Sequence, residues 1–332
     1  MLRYLAALAL LTVACTGATV GEGLATGVGT SPTTTSSIPI TTSTSTTTLV
    51  QPTTTPPNST VPAPPPAALI SPSGIPVGVL HTDGPLHTVL TPCGNEGYLA
   101  RGTPLYEVTV ALDPGHGGPV DTGAWGANGL MEKDINLRVA EATAERLGER
   151  GVSVILTRTG DYSSPLYVRA SLADSLNAEL ILSIHHNAPT PGPSTEPGIE
   201  VFYQAGSPAA RRLGGLVWKH TMSALSGFDV RWAASPDAGA MTVLNTRGDD
   251  AYGILRHPET VSALVELGYI SNRPEAELFA TVEYVSAVSA ALADAVVAYL
   301  NTDDRGAGYV TGRVFNPAPG VSRAVCEDPD LS

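Results

Sequence analysis

The stretch Leu180-Ile181-Leu182-Ser183-Ile184-His185-His186-Asn187 constrains the fold of this chain more than any other. It is nearly continuously apolar and lacks the alternation of a strand with one wet face. Such a run is what a strand buried on both faces of a parallel sheet requires. Comparable runs lie at Val108–Leu112, Val152–Leu156 and Val261–Leu267, with a further strand at Ile199–Tyr203. Between them the period changes to that of a helix: Leu137, Ala140, Ala144 and Leu147 share one face, and Gly151 stops the segment. Val168 and Leu172 mark a second helix. Ser207-Pro208 is an N-cap and first-turn pair for a third that runs to about Leu225. Asn272 with Pro274 opens a short one, and an Ala/Val-rich helix covers roughly 281–300. The alternation predicts a single α/β domain, a mostly parallel mixed sheet flanked by helices on both faces. Residues 226–257 carry no readable pattern.

The sequence before this domain is of a different kind. Residues 16–76 are dominated by Thr, Ser, Pro, Gly and Ala, with Glu22 the only charged side chain. With no periodic apolar face to offset the entropy of ordering, this span reads as a disordered stalk. Residues 77–106 alternate short strand-like segments with Gly and Pro, a small β-rich extension. At the very start, Arg3 is followed by an apolar run to Ala14 and then Cys15. That is an export signal, too short to remain as a membrane span. Cys15 after Val13-Ala14 resembles a bacterial lipoprotein processing site, so the expected product is lipidated at Cys15 and held at the membrane; a simple secretory signal is the other reading. Cys93 and Cys326 flank the domain in loop-like contexts, and export permits a bridge between them. The alternative is two free thiols. The net charge of −13 excludes the basic stripe that a nucleic-acid partner would need.

Chemistry concentrates where the apolar runs end. Val108–Leu112 breaks into Asp113-Pro114-Gly115-His116-Gly117-Gly118, a sharp turn that leaves a histidine between glycines. The run at 180–184 also ends in histidine, at His185. In open α/β sheets, sites form beyond the carboxyl ends of strands. Glu132 precedes a predicted helix, where an acidic residue ordinarily serves the helix terminus. Together, His116, Glu132 and His185 make two imidazoles and a carboxylate, the open ligand set of many catalytic zinc centres. Glu266 lies inside the apolar run Val261–Leu267, a costly place for a carboxylate unless something uses it. Burial would raise its pKa into the range of a general acid/base. Asp113 either orients a ligating imidazole or stabilises its own turn. His81, His87, His220 and His257 fit no ligand set and read as solvated or structural. No HExxH is present.

Four blocks in order, Asp113–Gly118, Glu132-Lys133-Asp134 with Asn136-Leu137, Ser183–Ala188 and Val265–Asn272, resemble the zinc-dependent N-acetylmuramoyl-L-alanine amidases of bacterial cell walls. The similarity spans about 108–300. It implies a catalytic domain over 107–301 followed by a tail over 302–332, with Zn2+ held by His116, Glu132 and His185, and Glu266 as the catalytic acid/base. It further implies hydrolysis of the bond between N-acetylmuramic acid and L-alanine in peptidoglycan, by an exported monomer at the cell envelope. The family usually has one histidine before a small residue in the third block. Here His186 takes that second place, and it reads as a groove or surface residue. Arg169 either contacts substrate or pairs with an acidic neighbour.

Overall fold

The structure is a computed structural model that describes residues 64–188, 198–230 and 239–301. The chain enters through five short strands, β1 (Ala68–Ile70), β2 (Pro76–Asp83), β3 (Leu86–Leu90), β4 (Glu96–Leu99) and β5 (Thr103–Leu105). They pair antiparallel in the order β4-β3-β2-β1-β5. Ala68–Ile70 falls within the span that composition assigns to the stalk, yet it is a strand, with Ala68 and Leu69 buried. Three residues between prolines give composition too little to work on, and long-range pairing to β2 and β5 decides their state.

The main sheet follows: β6 (Val110–Pro114), helix α1 (Glu132–Glu149), β7 (Val154–Leu156), α2 (Leu166–Ser175), β8 (Leu180–Asn187), β9 (Glu200–Tyr203) and α3 (Pro208–Leu225). Then come β10 (Ala240–Met241), α4 (Gly253–Arg256), β11 (Ser262–Tyr269), α5 (Arg273–Phe279) and α6 (Val282–Leu300). Its strand order is β10-β9-β11-β8-β6-β7. β7, β6, β8 and β11 run parallel, and β9 pairs antiparallel to β11. The sheet is therefore mixed and mostly parallel, as the sequence predicts. Ser207 and Asn272 act as the sequence suggests, accepting hydrogen bonds from the amides of Ala210 and Glu275, and Thr281 caps the last helix in the same way, accepting from the amide of Tyr284.

Period-2 alternation sorts each central strand between two cores. Leu180, Leu182 and Ile184 of β8, with Ala263, Val265 and Leu267 of β11, pack against α1, α3 and α6. Ile181 and Leu264 face the other way, toward α2 and α4. Both faces are covered, which is why these strands carry no polar alternation. At their carboxyl ends this alternation places His185 and Glu266 on the α2/α4 face and His186 on the α1/α6 face. The expected Cys93–Cys326 bridge has one end outside the described residues. The lipidation reading at Cys15, the loop at 189–197 and the tail at 302–332 also lie outside them.

Candidate functional site

β6 ends at Pro114, and Gly115 and His116 carry the chain over the sheet edge. His116 adopts φ 62, a left-handed backbone costly for a residue with a Cβ. Two buried arginines hold it there. Arg169 Nη1 donates to the Pro114 carbonyl at 2.8 Å and Nη2 to that of His116 at 2.9 Å. Arg158 donates from Nε to the Pro114 carbonyl at 2.9 Å, and from Nη2 to those of Gly115 at 3.0 Å and Lys133 at 2.7 Å. The second arginine therefore ties the His116 turn to the start of α1. Burial, then the charge of Arg169, pushes the Arg158 guanidinium down to about 10.

Asp113 does not reach an imidazole. Its carboxylate is fully buried and accepts from Thr157 Oγ1 at 2.5 Å, Ser183 Oγ at 2.6 Å and Arg169 Nη1 at 3.0 Å. Of the two roles read for Asp113 in the sequence, the structure favours support of its own turn, given through Arg169, which donates to the Pro114 and His116 carbonyls; Thr157 and Ser183, brought alongside by β7 and β8, complete its partners. Burial alone would raise its pKa, but Arg169, Ser183 and Thr157 hold it below the usual carboxylate range. Of the two readings of Arg169, the structure gives the pairing with an acidic neighbour.

His116, Glu132 and His185 converge: one ligating atom from each lies within 4.8 Å of the others. Glu132 Oε1 is 3.1 Å from His116 Nε2 and 3.0 Å from His185 Nδ1. Glu132 opens α1, yet its carboxylate does not cap that helix. It turns into the site instead, where Oε2 accepts from the Ala124 amide at 2.9 Å and Oε1 from Asn136 Nδ2 at 3.2 Å. The far nitrogen of His116, Nδ1, donates to Asp121 Oδ1 at 2.6 Å, which leaves Nε2 directed at the cluster. Burial would lower the pKa of His116, but hydrogen bonds and charge from Glu132 and Asp121 hold it up at about 9. His185 is likewise raised against burial by Glu132 and Glu266. Burial opposes ionisation of Glu132, but His116 and His185 keep its carboxyl well below the ordinary range.

The donor set suits a divalent metal, and the backbone around it is cut to fit. A Cβ on Gly115 would overlap the ring of His185, and one on Gly123 would lie 2.5 Å from Glu132 Oε2. Either side chain would fill the space that the two ligating groups occupy. Glu266 lies in the same row: across the strands it pairs with His185 of β8 on one side and Glu200 of β9 on the other. It is 8% exposed, and its Oε2 has no hydrogen-bond partner among the described residues. Burial pushes its pKa up to about 7; His185 opposes this, while Glu132 and Glu200 add to it. A buried carboxylate with one unsatisfied oxygen has to answer to something that enters the site.

His186 is not a groove or surface residue. It is fully buried on the opposite face of β8, with Nδ1 2.7 Å from Asn136 Oδ1 and Nε2 2.9 Å from the Tyr284 hydroxyl. Burial pushes its pKa down to about 3, so it is neutral. The remaining histidines lie apart from the cluster: His81 and His257 are exposed, His220 is half-buried on α3, and His87 faces Thr82 Oγ1 at 2.9 Å. Sequence reasoning passed over Asp121, Asn136 and Arg158. Only Asn136, one helical turn after Glu132, stood at a spacing that could have revealed it.

Two imidazoles and two glutamates, gathered at the carboxyl edge of an α/β sheet from strand ends and the start of α1, make a donor set suited to metal-assisted hydrolysis. The sequence pattern of the N-acetylmuramoyl-L-alanine amidases matches residues 110–298, more than half of the chain. A relative from Escherichia coli, N-acetylmuramoyl-L-alanine amidase AmiA, is 29% identical over 227 residues, 59% of this chain and 77% of the relative. The uncharacterized protein YqiI of Bacillus subtilis is 31% identical over 216 residues, 64% of this chain and 93% of that one. The crystal structure of an N-acetylmuramoyl-L-alanine amidase from Clostridium difficile 630 superposes with a TM-score of 0.52 at 28% identity, covering 59% of this chain and 98% of that one. The chain belongs to the N-acetylmuramoyl-L-alanine amidase family, hydrolases of the bond between N-acetylmuramic acid and L-alanine in peptidoglycan.

Proposed function

We propose that this chain is an exported, monomeric, zinc-dependent peptidoglycan amidase, held at the cell envelope through Cys15, in which His116, Glu132 and His185 bind the metal and Glu266 moves the proton. The observation that carries the reading is the row Glu266–His185 across β11 and β8, which sets an unsatisfied buried carboxylate beside three convergent ligating atoms. Zinc, when bound, supplies a Lewis acid that polarises the amide carbonyl and acidifies water to a pKa of about 7. Glu266 has a pKa of about 7 in this site, so it can take a proton from the attacking water and return it to the leaving nitrogen near neutral pH. Asp121 and the Ala124 amide hold His116 and Glu132 in place while this happens. Intact sacculi treated with the protein should yield L-alanine-terminated stem peptides and uncut, peptide-free glycan by mass spectrometry. Stem peptides cut internally would replace the amidase reading with that of a peptidase.

The protons on the site set how the metal binds. His116, raised to about 9, carries a proton at pH 7 when no metal is present, and His185 is shifted in the same direction. A cation must displace the proton on His116. The sign follows from the two directions. The metal-free fold has the full stabilisation from the protonated His116–Glu132 contact below the unfolded value of 6.5, and loses it as pH rises through about 9. Over the same window zinc affinity rises, by about tenfold per pH unit for each imidazole that releases a proton. Calorimetry in buffers of different ionisation enthalpy should register proton release at pH 7 that fades as the pH rises through about 9. Release that does not depend on pH would remove these imidazoles from the ligand set.

A further inference from the structure

The polar atoms behind Glu132 allow only one direction of hydrogen bonding. Asn136 is fully buried on α1, and on one side its amide meets two acceptors, Glu132 Oε1 and the Gly115 carbonyl, each at 3.2 Å. Only an NH2 can face two acceptors, so Nδ2 points there. Oδ1 must then face His186, whose Nδ1 lies 2.7 Å away and has to carry the proton. An imidazole protonated at Nδ1 has an acceptor at Nε2, and the Tyr284 hydroxyl, 2.9 Å from that atom and 3.5 Å from the Leu267 carbonyl, donates to it across the shorter of the two contacts. The opposite arrangement would turn Asn136 Oδ1 onto a carboxylate and a carbonyl, three acceptors together in a buried place.

From this one-way chain we infer that His186 is a positioning residue for Glu132: by donating from Nδ1 it fixes the side-chain amide of Asn136, which in turn holds Oε1 of the glutamate and the turn before His116. The four side chains come from three elements, so the network ties α6 and β8 to the first turn of α1. Phe279 packs against the ring edge-on, its centroid 4.7 Å from that of His186, and the imidazole is fully buried. His186 also grips Glu132 directly, through its backbone amide at 3.3 Å from Oε1. The role extends the zinc reading above and rests on it for its effect on metal binding. The direction of the chain rests on geometry alone.

Two measurements test it. In the metal-free protein, 15N spectra of the imidazole should show His186 neutral with its proton on Nδ1; a proton on Nε2 overturns the inference, whether or not zinc ever binds. Zinc affinity by chelator competition should fall about tenfold in His186→Ala, the low end of what outer partners of metal ligands contribute. His186→Asn places a side-chain amide nitrogen where Nδ1 lies and should recover most of that loss. In an Asn136→Ala background, His186→Ala should cost nothing further, because the path already lacks its middle member. A full tenfold loss in that background would mean that His186 acts merely by packing. If the unaltered protein binds no zinc, the functional reading fails, while the imidazole spectrum still decides the chain of donors.

Discussion

Glu266→Ala is expected to bind zinc with the stoichiometry of the unaltered protein while its turnover of peptidoglycan falls by about 10²–10⁴-fold, the usual contribution of a positioned proton carrier. The expectation follows from where the side chain stands. Glu266 shares a row with His185, yet its Oε2 makes no hydrogen bond among the described residues, so its removal takes no hydrogen bond of that oxygen from His116, Glu132 or His185, only the charge that helps raise His185. It even removes a buried carboxylate that burial holds at about pKa 7, so the fold should not weaken. Glu266→Gln keeps the volume and separates shape from proton transfer. It should be as inactive as the alanine variant, with KM little changed. Zinc content by elemental analysis, measured beside kcat, distinguishes the two roles open to this carboxylate. Loss of zinc along with turnover would make Glu266 a ligand and not a proton carrier.

Glu266 was legible in the sequence because it broke a rule: a carboxylate in a run that is otherwise apolar. Strand ends carrying histidine were legible for a similar reason, since the apolar run at 108–112 stops where the turn residues and glycines of 113–118 begin. The sheet and its helices followed from periodicity, and caps such as Ser207 and Asn272 sat where composition placed them. What escaped was everything set by pairing across the chain. His186 looked exposed because it follows a site residue, but one step along a strand turns a side chain to the other face, and here that face lies under α1 and α6. Asp121 gave no local sign, as a loop aspartate five residues from His116 has no fixed geometry until the Gly117–Asp121 bridge closes the loop. Arg158 lies just beyond the apolar run at 152–156 and gave no sign of its role; its guanidinium is 1% exposed and binds four carbonyls. Hydrogen bonds to backbone carbonyls leave no pattern in a sequence.

Asp113 should matter to the whole fold and not to the reaction alone. It is the carboxylate against which the buried charge of Arg169 is set, and its charge also reaches the buried Arg158. Asp113→Ala would leave Arg169 ionised among carbonyl dipoles, with a second guanidinium nearby. Breaking a buried pair in this way costs about 3–5 kcal/mol, a large part of the roughly 5–15 kcal/mol that holds a typical domain together. Ser183 and Thr157 would lose their acceptor at the same time. Denaturant unfolding of the metal-free variant should therefore show a much lower midpoint with an unchanged slope. Zinc affinity should fall too, because Arg169 holds the strained carbonyl of His116. Adding Arg169→Met should not restore stability: the carbonyls of Ser164 and His116 would then lose the donor that Arg169 supplies, and that of Pro114 would keep only Arg158. A loss below about 1 kcal/mol in Asp113→Ala, at the level of an exposed pair, would show that water reaches Arg169 and that the turn at His116 stands without it.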